Sequence, residues 1–204
     1  RSIEPFTVPE DTNTFYANDR NLTDDQYTSA VGDNRNTGRL ADRPKPTPNH
    51  LLQTYSVGAG QTLYTDTGSY ALFDPSVVSN IVGVGDDEGF VWTGPNSGNG
   101  VASFFHVHPD TVAPLVELND ADLVTMRNLV LNEGERGLYI HGGSIRFTGE
   151  DLSLSSHSLD GILIEDDSES TVLRNLTVEG NGRYGIYVTT PIDEISNSVV
   201  RDNV

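Results

Sequence analysis

The stretch that decides the fold is Gly137-Leu138-Tyr139-Ile140. It returns as Gly161-Ile162-Leu163-Ile164 and again as Gly185-Ile186-Tyr187-Val188, at a spacing of 24 each time. A second series runs beside it: Asn128-Leu129-Val130-Leu131, Asp151-Leu152-Ser153-Leu154 and Asn175-Leu176-Thr177-Val178, spaced 23 and 24. Asn197-Ser198-Val199-Val200 opens a fourth copy at a further spacing of 22. Val124-Thr125-Met126, Ile145-Arg146-Phe147 and Thr171-Val172-Leu173 form a weaker third series. Leu115 in Pro114-Leu115-Val116 precedes Leu138 at a spacing of 23, as an earlier, imperfect copy. A fixed period in this range marks a repeat architecture. Three short period-two segments per winding, parted by glycine and polar turns, predict an all-β fold, a parallel β-helix with a coil period of about 24. A leucine-rich repeat would need a continuous L-x-x-L-x-L frame, which is absent.

Stacked coils lie about 4.8 Å apart, so like residues meet like. Leu138, Ile162 and Ile186 are expected to form one internal column, Ile140, Ile164 and Val188 a second, and Leu129, Leu152 and Leu176 a third. Asn128, Asp151, Asn175 and Asn197 precede the same strand in successive coils. They predict a turn ladder whose side chains bond neighbouring backbone, because Asn and Asp tolerate turn conformations.

Outward residues stack by the same register. Tyr139, Leu163 and Tyr187 share a column, with His141, Glu165 and Thr189 on one flank and Arg136, Asp160 and Tyr184 on the other. An aromatic strip bordered by carboxylates and an imidazole suits sugar recognition, so Tyr139, Tyr187, His141, Glu165 and Arg183 are the candidate ligand contacts. If the protein is an enzyme, Glu165, Asp167 and His141 are the candidate catalytic groups, since glycoside hydrolysis needs two carboxyl groups about 5–9 Å apart. The competing readings are an ordinary outward tyrosine and a solvated acidic turn at Glu165-Asp166-Asp167. His106-x-His108 places two imidazoles on one face of a strand, with Asp110 as a third candidate metal ligand. Asp86-Asp87-Glu88, or Asp120 with Asp122, are candidate oxygen ligands for Ca2+.

Upstream the pattern weakens. Residues 1–40 are polar and hold no period, which predicts an extended arm. Pro44, Pro46 and Pro48 make a stiff connector. Leu51–Tyr55, Thr62–Tyr64 and Tyr70–Phe73 are separated by glycine turns and predict short strands. The expected organisation is therefore an arm over 1–40, a small β module over 41–75 and the β-helix over 76–204. The last copy stops after starting, with no amphipathic helix to close it, so the chain is expected to continue past Val204.

The 204 residues carry 30 acidic and 12 basic side chains, a net charge of −18, and no cysteine. Disulfides and thiolate metal sites are excluded. The acidity argues against nucleic acid as a partner, and no apolar run is long enough for membrane insertion as a helix. Only Lys45 is a lysine. Dense carboxylates with almost no lysine fit a protein kept hydrated in high salt, where charge is screened over about 3 Å at 1 M.

Residues 76–204 resemble the pectate-lyase-like superfamily of right-handed parallel β-helices. The resemblance lies in Asn80-Ile81-Val82-Gly83-Val84-Gly85, similar to an I-x-G-x-G opening coil, and in Asp120-Ala121-Asp122-Leu123-Val124-Thr125-Met126-Arg127-Asn128-Leu129, similar to a D-A-D-D-V-T-I-R-N-L coil. It is specific for fold and weak for activity, because the superfamily holds lyases, hydrolases, epimerases and inert spikes. Within residues 76–204, Gly-His-Gly, Arg-x-Lys and Asp-Pro-His, signatures of its characterised enzymes, are missing. A second resemblance, of Gly38-Arg39-Leu40-Ala41-Asp42-Arg43-Pro44 and Leu63-Tyr64-Thr65-Asp66-Thr67-Gly68-Ser69-Tyr70, is to a short module of viral tail fibres and tailspikes. It implies a homotrimeric virion protein, bound to other tail proteins through the arm and to a host surface glycan. With the acidity it implies a tailed virus of a halophilic archaeon. The alternative is a secreted lyase, hydrolase or epimerase of acidic polysaccharide. A cell-surface adhesin is a third reading.

Overall fold

In a computed structural model of the protein, the residues described are 13–79, 89–96, 98, 100–108 and 112–204, with the side chains of 77–79 left out. The chain winds in coils of up to three strands. The first coil holds β1 (Thr14–Ala17) and a short helix, α1 (Pro48–Leu52). The second holds β2 (Thr62–Thr65), β3 (Gly68–Leu72) and β4 (Ser76–Ser79). The third holds β5 (Val91–Thr93), β6 (Ala102–His106) and β7 (Pro114–Asn119). The fourth holds β8 (Thr125–Arg127), β9 (Leu129–Asn132) and β10 (Arg136–His141). The fifth holds β11 (Thr148–Glu150), β12 (Ser153–Ser155) and β13 (Ile162–Ile164). The sixth holds β14 (Val172–Arg174), β15 (Thr177–Glu179) and β16 (Ile186–Val188), and β17 (Glu194–Ser196) and β18 (Val199–Arg201) follow.

All pairings are parallel and link each strand to its counterpart one coil away. They build sheet A (β1-β2-β5-β8-β11-β14-β17), sheet B (β3-β6-β9-β12-β15-β18) and sheet C (β4-β7-β10-β13-β16). The protein is a parallel β-helix. Leu138 pairs with Ile162 and Ile162 with Ile186. The Gly161 carbonyl accepts from Leu138 N at 3.0 Å, and the Gly185 carbonyl accepts from Ile162 N at 2.9 Å. A Cβ added to Gly137 would stand 2.7 Å from Gly161 O, and one added to Gly161 would stand 2.6 Å from Gly185 O. Only glycine lets the coils approach this closely at the entrance to sheet C.

Three sequence expectations change. First, coil length is not constant. Down sheet A, Thr14 pairs with Thr62, Thr62 with Val91 and Val91 with Thr125, whereas Thr125 pairs with Thr148, Thr148 with Val172 and Val172 with Glu194. The first three steps are longer than the last three, so the period near 24 belongs to the C-terminal coils alone. Second, the boundaries at 40 and 75 do not divide the strands. β1 pairs with β2, and β2 with β5, so the arm from residue 13 on and the 41–75 segment are coil wall. The predicted strand at Leu51 is α1, which starts at a proline suited to the first helical turn. It packs on β1 and β4, and Asn49 Nδ2 donates to the carbonyls of Asp74 and Pro75 at 2.9 and 3.1 Å. Third, the strand expected at Ile145–Phe147 lies just beyond it, at β11. There Gly149 rather than a large side chain faces inward, and Phe147 fills the space beside it.

The turn ladder exists in another form. Asn128, Asp151, Asn175 and Asn197 have φ of 56, 52, 54 and 50°, a left-handed corner between sheets A and B. Backbone N–H groups at this corner donate to the next coil, as Asp151 N does to Arg174 O at 3.1 Å. Among the described residues their side chains make no such bonds. A true side-chain ladder stands at the B-to-C corner, where His157 N donates to Asn181 Oδ1 and Asn181 N to Asn203 Oδ1, both at 3.1 Å.

Candidate functional site

The outer face of sheet C is partly open, with Tyr187 exposed, Tyr139 half-buried and Leu163 buried. Its register places Glu117 of β7, Tyr139 of β10, Leu163 of β13 and Tyr187 of β16 in one column, since Tyr139 pairs with Glu117 and Leu163, and Leu163 with Tyr187. Alternation along β10 sends Tyr139 and His141 outward while Leu138 and Ile140 are fully buried. The two outward rings stack face to face, 4.1 Å between centroids and 9° between planes.

Each of these rings holds a carboxylate from a different neighbouring coil. Tyr139 OH donates to Glu165 Oε1 at 2.6 Å, and His141 Nε2 meets Glu117 Oε1 at 2.8 Å. Asp166 Oδ2 lies 4.0 Å from His141 Nδ1. Burial, reinforced by the hydrogen bond to Glu165, pushes the Tyr139 phenol well above the ordinary tyrosine range, so it remains a proton donor. Glu117 belongs to the coil before β10 and Glu165 to the coil after it. Because Glu117 is in register with Tyr139 and Leu163, Glu165 lies two sheet spacings away and two residues further along the strand, about 12 Å from Glu117 between backbones, and both carboxyl groups reach toward the coil between them.

Beside this cluster lies a second one. Asp160, fully buried, accepts from Arg183 Nε at 2.8 Å and from Tyr184 N at 3.2 Å, and lies 3.5 Å from Arg136 Nε. Arg183 Nη2 also bonds it. Two guanidinium groups offset the cost of burying this carboxylate. The Arg183 guanidinium sits 5.4 Å from the Tyr184 ring and 5.7 Å from the Tyr187 ring. The two tyrosines stack on each other at 5.0 Å and 17°.

Of the sequence candidates, Tyr139, His141 and Glu165 come together, and Arg183 and Tyr187 form the neighbouring group. Asp167 does not join them. It lies exposed in a turn at φ 58°, and its neighbour Asp166 is the residue that approaches His141. Glu117 is absent from the sequence candidates. Setting Leu115 against Leu138 hides it, because the true partner of Leu138 is Val116, and a slip of one residue turns every side chain to the other face.

His106 and His108 face different surroundings. β6 ends at His106, so strand alternation does not carry on to His108. His106 is buried with Nε2 against the carbonyls of Ala113 and Pro114, whereas the His108 ring lies edge-on to exposed Phe73. Asp110 lies outside the described residues, as do Asp86, Asp87 and Glu88. Asp122 Oδ1 accepts from Ile145 N at 3.0 Å and serves a turn, and Asp120 lies at φ 52° where the chain leaves β7. Among the described residues no group of three or more His, Cys, Asp or Glu side chains is placed to hold a metal ion.

Two solved structures resemble the whole arrangement. A rhamnogalacturonan lyase superimposes at TM-score 0.55 with 14% identity, over 92% of this chain and 45% of that one. The catalytic domain of a GH87 α-1,3-glucanase, in complex with nigerose, superimposes at 0.50 with 13% identity, over 91% of this chain and 33% of that one. The chain thus spans less than half the length of the structures it matches. At these identities the likeness establishes the fold alone, a parallel β-helix. No family model and no curated protein matches the sequence.

Proposed function

We propose that this chain belongs to a carbohydrate-active protein that engages a polysaccharide on the outer face of sheet C and cleaves it by hydrolysis. The observation that carries the reading is the convergence of Glu117 and Glu165, from the coils on either side, on the stacked pair Tyr139 and His141. An inverting glycosidase uses two carboxyl groups about 6.5–9.5 Å apart, and here two carboxyl groups from different coils are joined through the stacked Tyr139 and His141 rings. Glu117, bonded to His141, would stand on one side of the bond, and Glu165, held by Tyr139, on the other. The two structural neighbours, a polysaccharide lyase and a glucanase, support a carbohydrate-active reading. The test is incubation with a panel of polysaccharides, following new reducing ends and ultraviolet absorbance from unsaturated products. The expected result is reducing ends without absorbance, with Glu117→Gln and Glu165→Gln each lowering turnover by about 10²–10⁴-fold, as loss of a general acid or base does. Unsaturated products, or full activity in both variants, would refute it.

A second reading keeps the glycan contact without turnover: a tail fibre or tailspike segment of a virion, homotrimeric and joined to other tail proteins. The Gly38–Pro44 and Leu63–Tyr70 resemblance favours it. A trimer by light scattering, with glycan binding but no cleavage, is its signature.

A further inference from the structure

We propose that Tyr184 and Tyr187 form a stacking platform for an uncharged sugar ring, so that the polymer bound on sheet C is a neutral glycan rather than a polyuronate. This rests on the carbohydrate reading above and names its substrate class. The first argument is shape. The two rings are 47% and 38% exposed and stack nearly parallel at 5.0 Å, a short strip in which each ring covers part of the other and an outer ring face is left for a sugar. Aromatic side chains bury large apolar area at low conformational cost, and a stacked pair is already ordered before a ligand arrives. The strip also adjoins the Glu117–Tyr139–Leu163–Tyr187 column. Tyr187 is two sheet spacings from Tyr139, about 9–10 Å, within the span of a short oligosaccharide lying along the stacking direction.

The second argument is charge. Recognition of a uronate carboxylate calls for an uncommitted cation, and a lyase needs one to neutralise that carboxylate as the neighbouring carbon loses its proton. Arg183, beside the platform, already serves Asp160, which is fully buried, and Arg136, near Tyr139, is shared between Glu135 and Asp160. Removing either from Asp160 to bind substrate would leave a buried charge short of its partner. The acidic groups around the column are Glu117, Glu165 and Asp166, and the chain as a whole carries −18. Sugar hydroxyls can donate to such carboxylates, whereas a chain of uronates meets like charge along its length.

The experiment titrates the protein by calorimetry with a neutral glucan oligosaccharide and with a polygalacturonate oligosaccharide of equal length, at low and high salt. Wild type is compared with Tyr184→Ala, Tyr187→Ala and Tyr187→Phe. The expected result is binding of the neutral ligand, little changed by salt. Each alanine variant should weaken it at least tenfold while Tyr187→Phe retains it, with circular dichroism unchanged. Tighter binding of the polygalacturonate, or affinity within twofold of wild type in both alanine variants, overturns the platform. Neutral binding that depends on the tyrosines, together with turnover indifferent to Glu117→Gln and Glu165→Gln, removes the hydrolytic reading and leaves the platform standing. No binding of either ligand overturns both.

Discussion

The coils up to β7 and those after it solve the same packing problem with different materials. In the later coils the interior is a set of aliphatic columns, Leu138 over Ile162 and Leu131 over Leu154 over Val178, wound at a nearly constant spacing. In the earlier coils the same columns hold rings. Phe15 and Trp92, with Leu63 between them, stand in the sheet A column, and Tyr70 stacks on Phe104 at 5.2 Å in sheet B. Between Thr14 and its partner Thr62 the chain is about twice as long as between partners in the later coils. The extra residues leave at the corners and do not disturb strand register. Loop closure grows costly only slowly with length, by about 0.6 kcal/mol per doubling, so irregular winding is tolerated where the interior is well filled.

The sharpest way to break this contrast is to remove a ring. Trp92 is fully buried and donates Nε1–H to Thr65 Oγ1 at 2.9 Å. Trp92→Ala should cost about 3–5 kcal/mol, against about 0.5–1.5 kcal/mol for Ile162→Val in the aliphatic stack. Equal losses in chemical denaturation would erase the distinction. Next comes the glycine column. Gly161→Ala sets a methyl 2.5 Å from Val178 Cγ1 as well as against the next coil's carbonyl, and should cost about 1–3 kcal/mol. A smaller effect belongs to the B-to-C corner. Asn181→Ala removes the acceptor of His157 N and should lower stability by about 1 kcal/mol, read as a shift in denaturation midpoint.

The smallest effect is the pH dependence that Asp25 adds in the earlier coils. Asp25 is raised from its ordinary 3.8 to about 6, by burial first and then by Asp66 and Asp19, despite its bond from Asn18. A raised acid favours the folded state while protonated. Its contribution is therefore fully present below about pH 4 and is lost as pH climbs through about 6. Asp25→Asn should flatten that part of the stability profile. An unchanged profile between about pH 4 and 7 would show that Asp25 is not the group responsible.

These regions also differ in how legible they are in the sequence. The later coils repeat one spacing, and apolar residues two apart face inward, so pattern alone exposes the strands and most of the site. Glu117 escapes that pattern because the one spacing does not extend so far upstream. The segment before residue 40 carries no periodic signal because polar groups hold it in place. Asp66 accepts the backbone N–H groups of Gln26, Tyr27 and Thr28 at 2.7, 2.8 and 2.7 Å, and the Tyr27 hydroxyl donates to Gly94 O at 2.9 Å. Bonds between residues so distant in the chain leave no trace in local composition. In the sequence, Tyr184 and Tyr187 stand only as separate members of two neighbouring columns. Their contact depends on side-chain direction, which spacing does not encode.

The left-handed corner has a consequence for how this molecule can change over generations. At Asn128, Asp151, Asn175 and Asn197 the winding is steered by a torsion angle and a backbone bond, with little demand on what the side chain touches. Drift at these points should therefore be filtered by conformational tolerance, passing glycine, asparagine and aspartate and stopping β-branched residues. A stretch of surface that looks free to vary is in this sense the molecule's steering gear.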